Sequence, residues 1–132
     1  MVKSSKSHMK PGNIFWVDVP KAHCKGSEEH NHPGSGSGTK RPWIVVNARE
    51  TDRGLLWMVP TSASEQRRGP MLLRIPAEAL TSDELAPGAV VLCGQLRAID
   101  PSRLEARGSI GSISSELLDD IVTAIRNGLL PS

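Results

Sequence analysis

The chain has 132 residues, 38% of them hydrophobic and 23% charged, with a net charge of +2, three tryptophans, one phenylalanine and no tyrosine. That suits one domain with a modest core of Leu, Ile and Val and leaves little room for a second. It permits a nucleic-acid partner without demanding one. No stretch approaches the roughly 18 apolar residues of a membrane span, and the polar, basic segment Met1–Lys10 has no apolar stretch to act as a signal peptide. A cytoplasmic location with no membrane contact is therefore expected. The two cysteines fit this: Cys24 falls in a polar loop, Cys93 in an apolar run, and together they suggest no disulfide framework.

Residues 1–9 read as a disordered tail, and 10–130 as a single domain. Pro11-Gly12 turns into a first strand, Asn13–Val19. A long polar loop is expected over 20–40, its second half of flexible Gly-Ser composition. Trp43–Val46 predicts a second strand and Leu55–Val59 a third, stopped by Pro60; a fourth is expected at Met71–Ile75. Pro76–Leu85 suits a helical turn or two. Ala89–Cys93 and Gln95–Ile99 predict two further strands, with Gly94 as a kink or bulge between them, and Leu104–Ile110 a weak one. The chain ends in a helix. Ser114 caps it, Glu116 lies in its first turn, and Leu117, Leu118, Ile121, Val122, Ile125 and Leu129 form one apolar stripe. Short strands with one terminal helix predict a mainly β protein: a small, strongly bent barrel or sheet capped by that helix.

Lys40-Arg41-Pro42-Trp43-Ile44-Val45-Val46 carries the most chemical information. It sets a basic pair and a proline at the mouth of an apolar strand. A guanidinium fixed there from behind can grip a phosphate with two hydrogen bonds. Thr61 and Ser62 follow Pro60, where a hydroxyl either caps a turn or donates to a phosphate oxygen. Gln95 and Arg97, two apart on a predicted strand, would share a face. His23, Cys24, His30 and His32 are metal-competent residue types, but their spacing matches no standard zinc pattern, and no metal or cofactor is expected.

Four segments in this order, Pro11-Gly12-Asn13-Ile14-Phe15-Trp16-Val17-Asp18, Arg41-Pro42-Trp43-Ile44-Val45-Val46, Val59-Pro60-Thr61-Ser62 and Gly94-Gln95-Leu96-Arg97-Ala98-Ile99-Asp100, resemble the MazF/PemK family of toxin endoribonucleases from bacterial toxin–antitoxin pairs. The resemblance spans about Lys10 to Leu130. It implies a small SH3-like (CcdB/MazF-type) β-barrel with a C-terminal α-helix, usually a homodimer. It implies metal-independent, sequence-specific cleavage of single-stranded RNA by 2′-hydroxyl attack, leaving 2′,3′-cyclic phosphate and 5′-hydroxyl ends. It also implies a cognate antitoxin.

By the same resemblance Arg41 is catalytic, and Ser62, or Thr61 after a one-residue slip, supplies the hydroxyl. Glu28 is the loop glutamate that orients Arg41 or moves a proton, and His23 is a stand-in general base. Lys40, Gln95 and Arg97 bind RNA. Two departures stand out. Gly94 replaces an acid that many members carry before the glutamine, and the loop ahead of Arg41 is long. Both favour a rival reading, a non-catalytic CcdB-like binding toxin or an inactivated member, because fold alone does not decide activity.

Overall fold

The structure, a computed structural model, describes residues 10–19, 39–47, 54–63, 69 and 71–129. The strands are β1 (Asn13–Val19), β2 (Thr39–Asn47), β3 (Leu56–Ser62), β4 (Leu72–Arg74), β5 (Leu80–Ser82), β6 (Val90–Leu92), β7 (Arg97–Ile99) and β8 (Gly111–Ile113). Helix α1 (Ser115–Leu129) closes the chain. Among the described residues the strands form one curled antiparallel sheet in the order β4-β6-β3-β2-β1-β8-β5, with β7 also paired to β3. The fold is mainly β with one C-terminal helix, as the sequence pattern predicts.

The three long strands are apolar on both sides because both faces of the sheet are buried. On one face Ile14, Ile44 and Val59 pack with Ile75, Val91, Cys93, Ile113, Leu117 and Ile121. On the other Phe15, Val17, Trp43, Val45, Leu56, Met58 and Ile99 form a second cluster, with Leu104 packed against it. Helix α1 covers the first face. Its stripe works as expected: Leu117 and Ile121 are buried, and Leu118 and Ile125 pack at their flanks. The Leu117 N–H donates to Ser114 Oγ at 3.2 Å, which is the predicted cap.

The structure departs from the predicted elements where pairing overrides local composition. β2 begins at Thr39, so Thr39 and Lys40 are strand rather than the end of a loop. The β1 ladder reaches that far, setting Asp18 opposite Lys40 and Val19 opposite Thr39. The rest of the expected 20–40 loop and the expected disordered tail lie outside the described residues. β3 does not stop at Pro60 but runs on to Ser62. On one edge it pairs with β7 through Leu56–Met58 and with β6 from Thr61 onward. Pro60 falls in the gap between these ladders, where a missing N–H interrupts nothing.

The same gap reshapes the predicted strand pair around Gly94. Extending the Thr61–Val91 register along β3 would set Met58 opposite Gly94, yet Met58 faces Arg97. The excess is taken up by a 3₁₀ turn at Cys93–Gln95. Gln95 therefore belongs to a turn, and Arg97 alone to the strand. Pro76–Leu85 holds one 3₁₀ turn at Ala77–Ala79 and then β5. The weak strand expected at Leu104–Ile110 is reduced to a single bridge between Val17 and Leu104.

β8 approaches β5 closely at Gly111, where an added Cβ would overlap the Thr81 carbonyl oxygen and the Ser82 Cβ. Gly111→Ala should lower the unfolding free energy by about 2 kcal/mol, because the obstacle is backbone and cannot swing away. Urea titration of the two proteins checks this.

Candidate active-site groove

Arg41 owes its position to the proline that follows it. The β2–β3 ladder runs as far as Trp43 opposite Pro60. Continued outward, that register sets Pro42 opposite Thr61 and Arg41 opposite Ser62. Pro42 has no N–H to extend the ladder. Side chains bridge the gap instead. Thr61 Oγ1 donates to the Pro42 carbonyl at 2.9 Å, and Arg41 Nη1 donates to the Thr61 carbonyl at 3.3 Å. Arg41 is half-buried, and Thr61 and Ser62 are buried. The guanidinium is thus anchored at its root by a strand and at its tip by a carbonyl.

This corner forms one wall of a groove of about 400 Å³, lined by Arg41, Thr61, Ser62, Trp16, Glu84 and the segment Leu85–Ala89. Its size lies within the roughly 300–1,000 Å³ of small-ligand pockets. The Thr61 hydroxyl hydrogen is committed to the Pro42 carbonyl, so Thr61 acts as a staple. Ser62, the next residue, lines the same wall as Arg41.

A chain of charges runs along the rim. Lys40 Nζ pairs with Glu105 Oε2. Arg107 Nε pairs with Glu105 Oε1 at 2.7 Å, and Arg107 Nη2 with Glu84 Oε1 at 2.7 Å. Glu84 Oε1 also accepts from Trp16 Nε1 at 2.9 Å. The hydrogen bond from Lys40, with that from Arg107, holds the Glu105 carboxyl below the usual carboxylate range against the cost of burial; the Glu105 bond likewise raises Arg107. Lys40 lines the groove, but its ammonium is paired.

The sequence-predicted residues divide into three groups. Arg41, Thr61, Ser62 and Lys40 come together at the groove. Gln95 and Arg97 do not line it: Arg97 pairs with Met58, three residues along β3 from Thr61, or about 10 Å. Arg97 makes no ion pair with Asp18 or Asp100 among the described residues, and Asp100 instead caps the next turn, accepting from the Ser102 N–H at 2.9 Å. Glu28 and His23 lie outside the described residues, as do Cys24, His30 and His32. Gly94 lies beside Met71, away from the groove wall. Cys93 is a core residue whose thiol burial pushes up to about 11, so it stays protonated and inert at neutral pH.

Sequence reasoning missed Glu84 and Arg107. Neither stands in a motif, and only folding sets the Ser82–Leu85 turn against the Glu105–Arg107 segment. Trp16 was legible as a strand residue but not as part of a groove.

The sequence profile of the PemK-like, MazF-like toxins of type II toxin–antitoxin systems matches residues 10–129. The chain belongs to that family. No curated protein matches it. Among solved structures, a MazE–MazF complex from Deinococcus radiodurans superposes with a TM-score of 0.59 at 20% identity, covering 93% of this chain and 96% of that one. An endoribonuclease in complex with its cognate antitoxin from a mycobacterial species superposes with a TM-score of 0.62 at 18% identity, covering 93% and 97%. A mycobacterial endoribonuclease gives 0.61 at 17% identity, covering 92% and 91%. At such identities these likenesses show the MazF-like fold. No helix among the described residues is long and apolar enough to cross a membrane.

Two outcomes follow from the bonds at the groove. Thr61→Val deletes the donor to the Pro42 carbonyl and should cost about 1–3 kcal/mol in a urea titration. Glu105→Gln tests the rim charges by pH. A carboxyl depressed in the fold stabilises it above the usual carboxylate pKa of about 4.3, and the contribution is lost as pH falls through the lower folded value. The melting-temperature gap between wild type and Glu105→Gln should therefore be widest near neutral pH and close in acid.

Proposed function

We propose that this MazF-like chain is an endoribonuclease toxin that cuts single-stranded RNA without a metal. The observation that carries this reading is the Arg41 guanidinium, anchored on the Thr61 carbonyl and sharing the wall of a groove with Ser62. In such a reaction the ribose 2′-hydroxyl attacks the adjacent phosphorus, a negative phosphorane-like transition state forms, and the 5′-oxygen leaves. The products carry 2′,3′-cyclic phosphate and 5′-hydroxyl ends. The protein need not supply the nucleophile; it aligns the hydroxyl and drains charge from the phosphate oxygens.

Arg41 neutralises that charge with donors already fixed in place, so little reorganisation accompanies the reaction. Ser62 donates to a non-bridging oxygen. Glu28 and His23 are the proposed proton-transfer groups, His23 because an unperturbed imidazole titrates near 6.5. Lys40 adds positive potential for the RNA backbone at the rim. Gln95 and Arg97, at the other end of β3, are proposed to hold RNA beyond the cleaved bond. The family and the complexes of similar folds with antitoxins support a cognate antitoxin as partner, and we place the toxin in the cytoplasm as a homodimer.

Arg41→Ala should reduce cleavage by about 10²–10³-fold or more, the scale seen when one charge-stabilising donor is removed, with an unchanged circular dichroism spectrum. The assay is end mapping of a mixed-sequence RNA incubated in EDTA. Cuts at a fixed short motif that vanish in the variant support the nuclease. RNA left intact by the wild type would favour the CcdB-like binding toxin instead.

A further inference from the structure

We propose that Trp16 and Glu84 form a base-reading subsite in the groove, which accepts an RNA base carrying an exocyclic amino group and disfavours uracil. This rests on the RNA-cleaving reading above and adds to it a determinant of sequence choice.

Glu84 is held from both ends. Ser82 Oγ donates to the Ile110 carbonyl at 2.8 Å and accepts from the backbone N–H groups of Glu84 at 3.1 Å and Leu85 at 3.2 Å. The turn that carries Glu84 is thereby pinned to the segment leading into β8. At the tip, Oε1 accepts two hydrogen bonds, from the Trp16 indole and the Arg107 guanidinium. Oε2 accepts none among the described residues. The side chain is still 36% exposed and lines the groove beside Trp16. A carboxylate tethered through one oxygen, on a side chain that lines a groove, is an oriented acceptor.

Recognition fits this geometry better than proton transfer. Oε1 is occupied by the Arg107 guanidinium and the Trp16 indole, and a carboxylate presents lone pairs only. Trp16, half-buried and bonded through its N–H, offers its ring to the same space. Single-stranded RNA is bound by stacking bases on such rings and reading their edges. Adenine, cytosine and guanine each bear an amino group that donates to Oε2. Uracil has one N–H on that edge, flanked by two carbonyl oxygens whose lone pairs oppose the carboxylate, so its bond to Oε2 is the weaker one. Sites built to make a hydrogen bond discriminate against a partner that makes it poorly.

The test measures binding apart from cleavage. Fluorescence anisotropy is recorded with 2′-fluoro pentamers of cytidine, adenosine and uridine, which lack the attacking hydroxyl. The wild type should bind the cytidine and adenosine pentamers about 10-fold or more tighter than the uridine pentamer. Glu84→Gln, isosteric and on an exposed side chain, should shrink that preference to about threefold or less, because an amide can also donate to a carbonyl. Trp16→Phe, which keeps a ring but drops the tethering N–H, should retain binding and lose part of the preference. An unchanged cytidine-to-uridine ratio in Glu84→Gln, or equal binding of all three pentamers by the wild type, overturns the subsite. Cleavage of natural RNA by the wild type is scored separately. Cutting with an unchanged ratio sinks the subsite and leaves the nuclease. A Glu84-dependent ratio without cutting keeps the subsite and sinks the nuclease.

Discussion

The β2–β3 ladder ends where Pro42 offers no donor, and the groove depends on how that end is closed. Two unpaired strands at a sheet margin would splay or recruit another chain. Here the Thr61 hydroxyl and the Arg41 guanidinium take over from the missing N–H, each bonding to a carbonyl of the opposite strand. Structural closure and the charged corner are therefore the same set of bonds. A net hydrogen bond contributes only about 1 kcal/mol, more when one partner is charged. The consequence for function is larger, because it fixes a guanidinium whose long side chain would otherwise explore many rotamers.

Burial on both faces of the sheet makes that corner rigid. The row Ile14-Ile44-Val59 on one face and the pairs Phe15–Trp43 and Val45–Met58 on the other lock β1, β2 and β3 from opposite sides. Helix α1 covers one face near the middle of these strands. Further along β1 and β2 the row changes character, from the Ile14–Ile44 pair to Trp16–Pro42 and then Asp18–Lys40. Core gives way to groove wall and then to charged rim within four residues of each strand. The site is thus the continuation of the core beyond its cover.

The opposite wall is assembled from distant parts of the chain. Lys40, Glu105, Arg107 and Glu84 form an alternating series of charges that ties β2 to the turn after β5 through the segment before β8. Exposed pairs are individually weak. In series, they orient one another and deliver Glu84 to Trp16. That arrangement separates two kinds of chemistry in one groove, a cation at the strand mouth and an anion beside an aromatic ring.

Six of the eight strands, the terminal helix with its Ser114 cap, and the basic and hydroxyl pairs of Arg41, Thr61 and Ser62 were legible in the sequence; β5 and β8 were not. Each legible feature is carried by neighbours in the chain: an apolar stripe at helical spacing, or a proline set directly against a basic pair or a hydroxyl pair. Local composition misled where long-range pairing took over, as at Thr39–Lys40, drawn into β2 by β1, and at Gln95, displaced into a turn because β6 and β7 meet the same edge of β3 out of register. The role of Thr61 as a staple, and the meeting of Glu84, Arg107 and Trp16, were decided by tertiary structure alone. Contacts between residues up to 68 positions apart leave no local pattern, because their partners are chosen by the curl of the sheet rather than by the chain on either side of them.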